Sequence, residues 1–134
     1  MSDESTVYVV DDDEAAANSV VALMASVGLK AESFNSAEEF LAERDRNRTG
    51  CLVLDIRLKG MSGLELQEAL AAQGSEIPII FISGHADREL SEKALNYGAV
   101  TCLEKPFNGI EFCETVRAVL AHRWSHPDRF DLGE

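Results

Sequence analysis

Residues Cys51 to Gly63 read CLVLDIRLKGMSG, an apolar run that ends abruptly on Asp55 and passes through a glycine-containing loop into a new helical pattern. A strand made of continuous apolar residues is typically buried on both faces, as in a parallel sheet. Its last residue then lies on the sheet's C-terminal edge, where open α/β folds place their sites. A lone Asp after a strand serves as readily to turn the chain. The partners that the rest of the sequence brings to Asp55 therefore decide its role.

Immediately outward, Ser36 with Glu39 and Ser62 with Glu65 are capping-box signatures. The first opens a helix from Ala37 to about Arg44, and the second a helix whose Leu66, Ala69 and Leu70 form an apolar stripe ended by Gly74. Toward the N-terminus, Thr6 to Val10 (TVYVV) reads as a buried strand that stops at Asp11, Asp12 and Asp13. Ala17, Val20, Val21, Met24 and Val27 then recur at helical spacing up to Gly28, and Leu29 to Phe34 is a weaker, partly alternating edge strand. Toward the C-terminus, Pro78 to Ser83 (PIIFIS) is a strand with proline at its tolerated first position. Leu90, Ala94 and Tyr97 share one face of the next helix, which Gly98 ends. Ala99 to Leu103 is a fifth strand before Glu104, Lys105 and Pro106, and Asn108 with Glu111 caps a last helix carrying Ile110, Cys113, Val116 and Leu120 inward.

Five strands alternating with five helices predict a doubly wound (βα)5 α/β fold, a parallel five-stranded sheet covered on both faces with right-handed crossovers. The strand ends then carry Asp11 and Asp12, Asp55, Ser83 and Lys105 along one edge. Residues 5–122 make this single domain, and residues 123–134 read as a flexible tail or the start of a linker. Trp124 in that tail either packs back on the last helix or anchors a partner.

A chain of 134 residues can bury one substantial core unaided. Its net charge of −12 argues against direct binding to nucleic acid or an anionic membrane. The apolar runs are too short for a membrane helix and the acidic MSDEST start lacks the features of a secretory signal, so a cytoplasmic location is expected. Cys51, Cys102 and Cys113 lack the spacing of a zinc or CxxC site and read as buried, reduced thiols.

Asp11, Asp12 and Asp55 at one edge would repel one another unless a cation or protons compensated. Mg2+ suits them, since it prefers hard oxygens, keeps several waters and is often completed by a phosphate. With Lys105 as a mobile positive charge and Ser83 as a hydroxyl donor, a carboxylate nucleophile is equipped for in-line phosphoryl transfer.

Taken together, VVDDD (9–13), LVLDIRLKGMSG (52–63), FISGHAD (81–87) and EKPF (104–107) resemble a two-component response-regulator receiver domain of CheY-like fold. The SGHAD and MSGLEL wording is most similar to FixJ-like receivers, which are often joined to a helix-turn-helix output domain. The resemblance implies the flavodoxin/CheY-like strand order 2-1-3-4-5. It implies that Asp55 accepts a phosphoryl group from a phosphohistidine of a sensor histidine kinase, in a reaction using Mg2+, with Mn2+ as a substitute. Asp12, Asp55 and the backbone carbonyl of Arg57 would be the metal ligands, with Asp11 acting through water. Ser83 and Lys105 would each engage a phosphoryl oxygen and draw two loops inward, a two-state switch. The Lys105–Pro106 peptide would be cis, as only a bond before proline readily is. The resemblance further implies a signalling phosphoacceptor that promotes only its own phosphorylation and dephosphorylation. Loading would switch the face formed by the fourth helix, fifth strand and fifth helix, favouring a homodimer there, and control transcription through an output domain or partner.

The sequence departs from the family pattern in its surroundings. Cys102 stands where an aromatic residue usually couples Ser or Thr movement to that face, and it is too small to act as the same lever. Lys59 replaces a common proline, which should leave the loop after Asp55 less restricted. Arg57 and His85 occupy positions that tune phosphoryl lifetime. Asp13 reads as a helix N-terminal residue, His85 as a solvated modulator, and His122 and His126 lie too near the tail to join the site. A haloacid-dehalogenase-like phosphatase would need an acid at Arg57, and a nucleotide-binding flavodoxin-like loop would need Ser, Thr or Gly in place of three aspartates. A receiver that signals without phosphorylation is a third alternative.

Overall fold

The computed structural model describes residues 5–44 and 49–122. Within them β1 (Thr6–Val10), β2 (Lys30–Phe34), β3 (Gly50–Asp55), β4 (Ile79–Ser83) and β5 (Thr101–Glu104) form one sheet. All neighbours run parallel in the order β2-β1-β3-β4-β5, the expected CheY-like arrangement. The proposed tail, Trp124 and His126 lie outside the described residues.

The three central strands are buried almost throughout, as continuous apolar runs require, whereas β2 at one edge is only partly buried. Alternation divides the side chains into two layers. Leu52, Leu54 and Ile56 pack with α2 (Ala37–Glu43), α3 (Gly63–Ala72) and α4 (Arg88–Asn96). Cys51 and Val53 pack on the other face with α1 (Glu14–Ser26) and α5 (Gly109–His122).

Ser62 and Glu65 form the expected reciprocal capping box, whereas at α2 only half of one is present: Ser36 Oγ accepts Glu39 N–H, but Glu39 Oε1 accepts Asn35 N–H instead of that of Ser36. Asp13 is the N-cap of α1 and accepts Ala15 N–H and Ala16 N–H. Pro78, lacking an N–H, precedes β4 and contributes only its carbonyl, which accepts Leu52 N–H at 2.9 Å. The fifth strand begins at Thr101 rather than at Ala99. Gly98, at φ +111°, reverses the chain after α4 so that Ala99 N–H bonds back to Ala94 O and closes the helix end.

Two inward assignments do not hold. Ile110 is 72 % exposed, while Phe112 is fully buried and stacks on Phe107 at 5.0 Å between centroids. Residues two apart on a helix point about 200° apart, so the larger Phe112 excludes Ile110 from the core. Tyr97 is 58 % exposed because α4 has ended at Asn96 and only Leu90 and Ala94 follow the inward face.

Candidate functional site

The sheet's C-terminal edge is built by register. Val10 pairs with Leu54, which sets Asp11 beside Asp55, and Asp55 itself pairs with Ile82, one residue before Ser83. Ser83 pairs with Glu104, so Lys105 follows directly at the same edge. Asp55 continues the parity of Cys51 and Val53 toward the α1/α5 face, whereas Ser83 continues that of Ile79 and Phe81 toward the opposite one.

Asp55 is half-buried, with Oδ1 accepting Arg57 N–H at 3.0 Å and Oδ2 3.3 Å from Lys105 Nζ. Asp12 is exposed, and its Oδ2 accepts Lys59 N–H at 2.8 Å. Asp11 is buried and its Oδ1 accepts Asp13 N–H at 2.9 Å. Ser83 is buried, and its carbonyl accepts Lys105 N–H at 2.8 Å. The Lys105–Pro106 peptide is cis.

Burial pushes the Asp11 carboxyl above its ordinary value, the Asp13 N–H opposes that rise, and the charge of Asp55 adds to it. For an acid whose folded pKa is raised, ionisation costs stability as pH climbs above the unfolded value of 3.8. Asp11→Asn keeps an acceptor for Asp13 N–H and removes the charge. We expect it to raise stability in urea unfolding by about 1 kcal/mol at neutral pH, with the difference from wild type vanishing below pH 3.8. A variant no more stable than wild type at neutral pH would show that Asp11 bears no such penalty.

This excess of negative charge is what a hard cation relieves. Among the described residues no three His, Cys, Asp or Glu side chains are grouped as a metal cage. Mg2+ does not require one, since one or two carboxylates with a carbonyl, waters and a phosphate suffice. Asp12, Asp55 and the Arg57 carbonyl are donors of that kind, so the residues fit the ion.

The loop after Asp55 is tied more closely than expected from the loss of proline. Lys59 supplies the N–H that a proline would lack, and it bonds Asp12, while Met61 N–H donates to Glu38 at 3.1 Å. Cys102 is half-buried rather than buried, its Sγ 3.6 Å from Ser91 O on α4. Burial raises its pKa, as it raises that of Cys51 to about 12, which leaves both as thiols. Cys113 is buried and unpaired. His85 is exposed, and its Nδ1 lies 2.6 Å from Glu104 Oε2.

Asp87 is the residue that sequence reasoning passed over. It precedes α4, where an Asp suggests only a helix cap, yet it makes no cap. Its buried carboxylate accepts Gly84 N–H at 2.9 Å and pairs with Arg57 Nε. Burial opposes its ionisation, but the Gly84 N–H and the Arg57 guanidinium outweigh this and hold its carboxyl below the usual range.

Known proteins share this fold. Residues 7–117 match the family described as the response regulator receiver domain. The chain is 46 % identical over 121 residues to response regulator protein TodT of Pseudomonas putida, covering 90 % of this chain and 53 % of TodT. It is 39 % identical to transcriptional regulatory protein FixJ of Azorhizobium caulinodans, covering 90 % and 57 % of the two chains. Among solved structures, full-length FixJ from B. japonicum superimposes with a TM-score of 0.85 at 34 % identity, over 91 % of this chain and 60 % of that one. FixJ-N superimposes at 0.78 with 38 % identity, over 93 % and 95 %. The chain thus spans about half the length of the curated relatives it matches. With the family match running through all five strands and the acidic edge, the chain belongs to the receiver domains of two-component response regulators.

Proposed function

We propose that this receiver takes a phosphoryl group onto Asp55 from a phosphohistidine of a sensor histidine kinase. The observation that carries the reading is the placement of Lys105 Nζ 3.3 Å from Asp55 Oδ2, at an edge also bearing Asp11 and Asp12. An Asp55 oxygen attacks phosphorus, the phosphorus–nitrogen bond breaks, and the imidazole leaves with that electron pair. Hydrolysis of the acyl phosphate returns the carboxylate and inorganic phosphate. Mg2+, or Mn2+ in its place, would be held by Asp12, Asp55 and the Arg57 carbonyl, with Asp11 through water, and when bound neutralises phosphoryl oxygens. Lys105 pairs with one phosphoryl oxygen and Ser83 donates its hydroxyl to another. Ser83 shares the strand parity of Ile79 and Phe81, and its approach would draw the loop after β4 toward Asp55.

That movement would switch the α4-β5-α5 surface, where Leu95 and Tyr97 stand exposed, and favour a homodimer through it. A location in the cytoplasm fits a kinase partner. Among the described residues no helix is long and apolar enough to cross a membrane. With a net charge of −12 the domain itself would not hold nucleic acid, and relatives named as transcriptional regulators suggest control of transcription through an output domain or partner. Cys102, bonded to the α4 backbone instead of acting as an aromatic lever, favours one second reading, a receiver that signals by protein contact without phosphorylation.

Incubation with a small phosphodonor decides between them. One added phosphoryl mass on the Asp55 peptide, formed with Mg2+ and absent with EDTA, is expected, together with faster sedimentation of the labelled chain. A chain that stays unlabelled at every Mg2+ concentration would leave the second reading standing.

A further inference from the structure

The loop after β4, from Gly84 to Asp87, is held from two sides. On one side the Asp87 carboxylate accepts Gly84 N–H through Oδ2 and Arg57 Nε–H through Oδ1. Asp87 N–H in turn donates to Gly84 O at 3.1 Å, closing the four residues into a small ring. On the other side His85 pairs with Glu104. The Asp87 side chain is only 6 % exposed, so its charge depends on these donors, whereas the Arg57 side chain is 67 % exposed and has room to reorient.

Arg57 is tied to Asp55 as well, through its backbone N–H. Its guanidinium therefore has two anions within reach of one backbone position: the singly charged Asp87, and any phosphoryl group on Asp55, which carries up to about two charges and three acceptor oxygens. The guanidinium fork suits the phosphoryl group at least as well as the carboxylate. Ser83 immediately precedes the closed ring and shares the strand parity of Ile79 and Phe81, so movement of the ring would carry its hydroxyl with it.

We propose that Asp87 is a positioning residue that holds the loop after β4 through Arg57, and that a phosphoryl group on Asp55 competes for the same guanidinium and releases the loop. This rests on the reading of Asp55 as the phosphoacceptor. It makes Arg57 more than a donor of a backbone carbonyl: its side chain carries the state of Asp55 to the turn beside Ser83.

Amide exchange at Gly84 and the rate of labelling by a small phosphodonor test the idea together. Asp87→Asn retains an acceptor for Gly84 N–H but loses the charge that retains Arg57. It is expected to label about fivefold faster than wild type, the lower end of usual coupling between sites. Arg57→Gln leaves the buried Asp87 carboxylate with Gly84 N–H as its remaining donor, so thermal melts of both variants accompany the rates and only chains folded at the assay temperature are compared. In both variants Gly84 should exchange, unlabelled, as fast as it does in labelled wild type. Adding Asp87→Asn to Arg57→Gln should change the labelling rate no further, because the two residues act as one unit. Gly84 exchange at the wild-type rate in both variants, or fully additive effects on labelling, overturns the proposal. A wild-type chain that takes no label overturns the phosphoacceptor reading and the release step with it. In that event, Gly84 exchange in the unlabelled variants still decides whether Asp87 holds the loop.

Discussion

Asp55→Asn is expected to take no detectable phosphoryl mass from a small phosphodonor in Mg2+, a loss of at least about a thousandfold of the kind seen when a nucleophile is removed. The substitution keeps the shape and an acceptor for Arg57 N–H, so the loop need not rearrange. It removes the anionic oxygen that faces Lys105 Nζ. Neither neighbouring acid is placed to replace it. Asp11 is buried, and its Oδ1 is already engaged by Asp13 N–H. Asp12 is exposed and commits one oxygen to Lys59 N–H. Intact-mass measurement on the wild-type and variant chains checks the result. Label that persists in Asp55→Asn would move the acceptor elsewhere and remove the main support for the proposed chemistry.

Much of this geometry was legible because parallel strands fix direction. Once TVYVV, CLVLD and PIIFIS read as buried strands of one sheet, their last residues had to meet at one edge, whatever the helices did. The N-caps at Ser36 and Ser62 were equally legible, because the residues that satisfy a helix N-terminus are local in sequence. What escaped reading depended on packing between distant segments. The face of α5 was misjudged because the periodicity of Ile110 and Cys113 competes with that of Phe112, and only the neighbouring Phe107 decides which is buried. Asp87 drew no reading of its own because its partner Arg57 lies thirty positions away. The tether at Lys59 was missed for a simpler reason. Replacing proline was counted as a gain in freedom, when it also supplies the N–H that Asp12 accepts.

Gly63→Ala is expected to lower stability by about 3 kcal/mol, the upper part of the range for overpacking a tight contact, and to slow labelling of Asp55. Gly63 is the first residue of α3, and a Cβ built on it would meet Asp55 O at 2.6 Å and both Ile56 Cα and Phe81 Cε1 at 3.1 Å. The nearest of these is backbone, which cannot rotate aside as a flexible side chain could. Either α3 must lift from the end of β3, exposing part of the cluster around Leu66 and Leu70, or the peptide that carries Asp55 must shift. The first response appears as lost stability, the second as a displaced acceptor relative to Lys105, and the two can occur together. Gly74→Ala separates this crowding from the general effect of replacing glycine. Its Cβ would meet nothing within 4 Å, so its only penalty is the positive φ of +79°, and about 1 kcal/mol is expected. Thermal melts should therefore place Gly63→Ala roughly 10 °C below wild type and Gly74→Ala only about 4 °C below, with slowed labelling in the first alone. Equal melting temperatures for the two variants would show that α3 yields freely at its N-terminus. The end of β3 would then not be the rigid platform on which Asp55 has been placed.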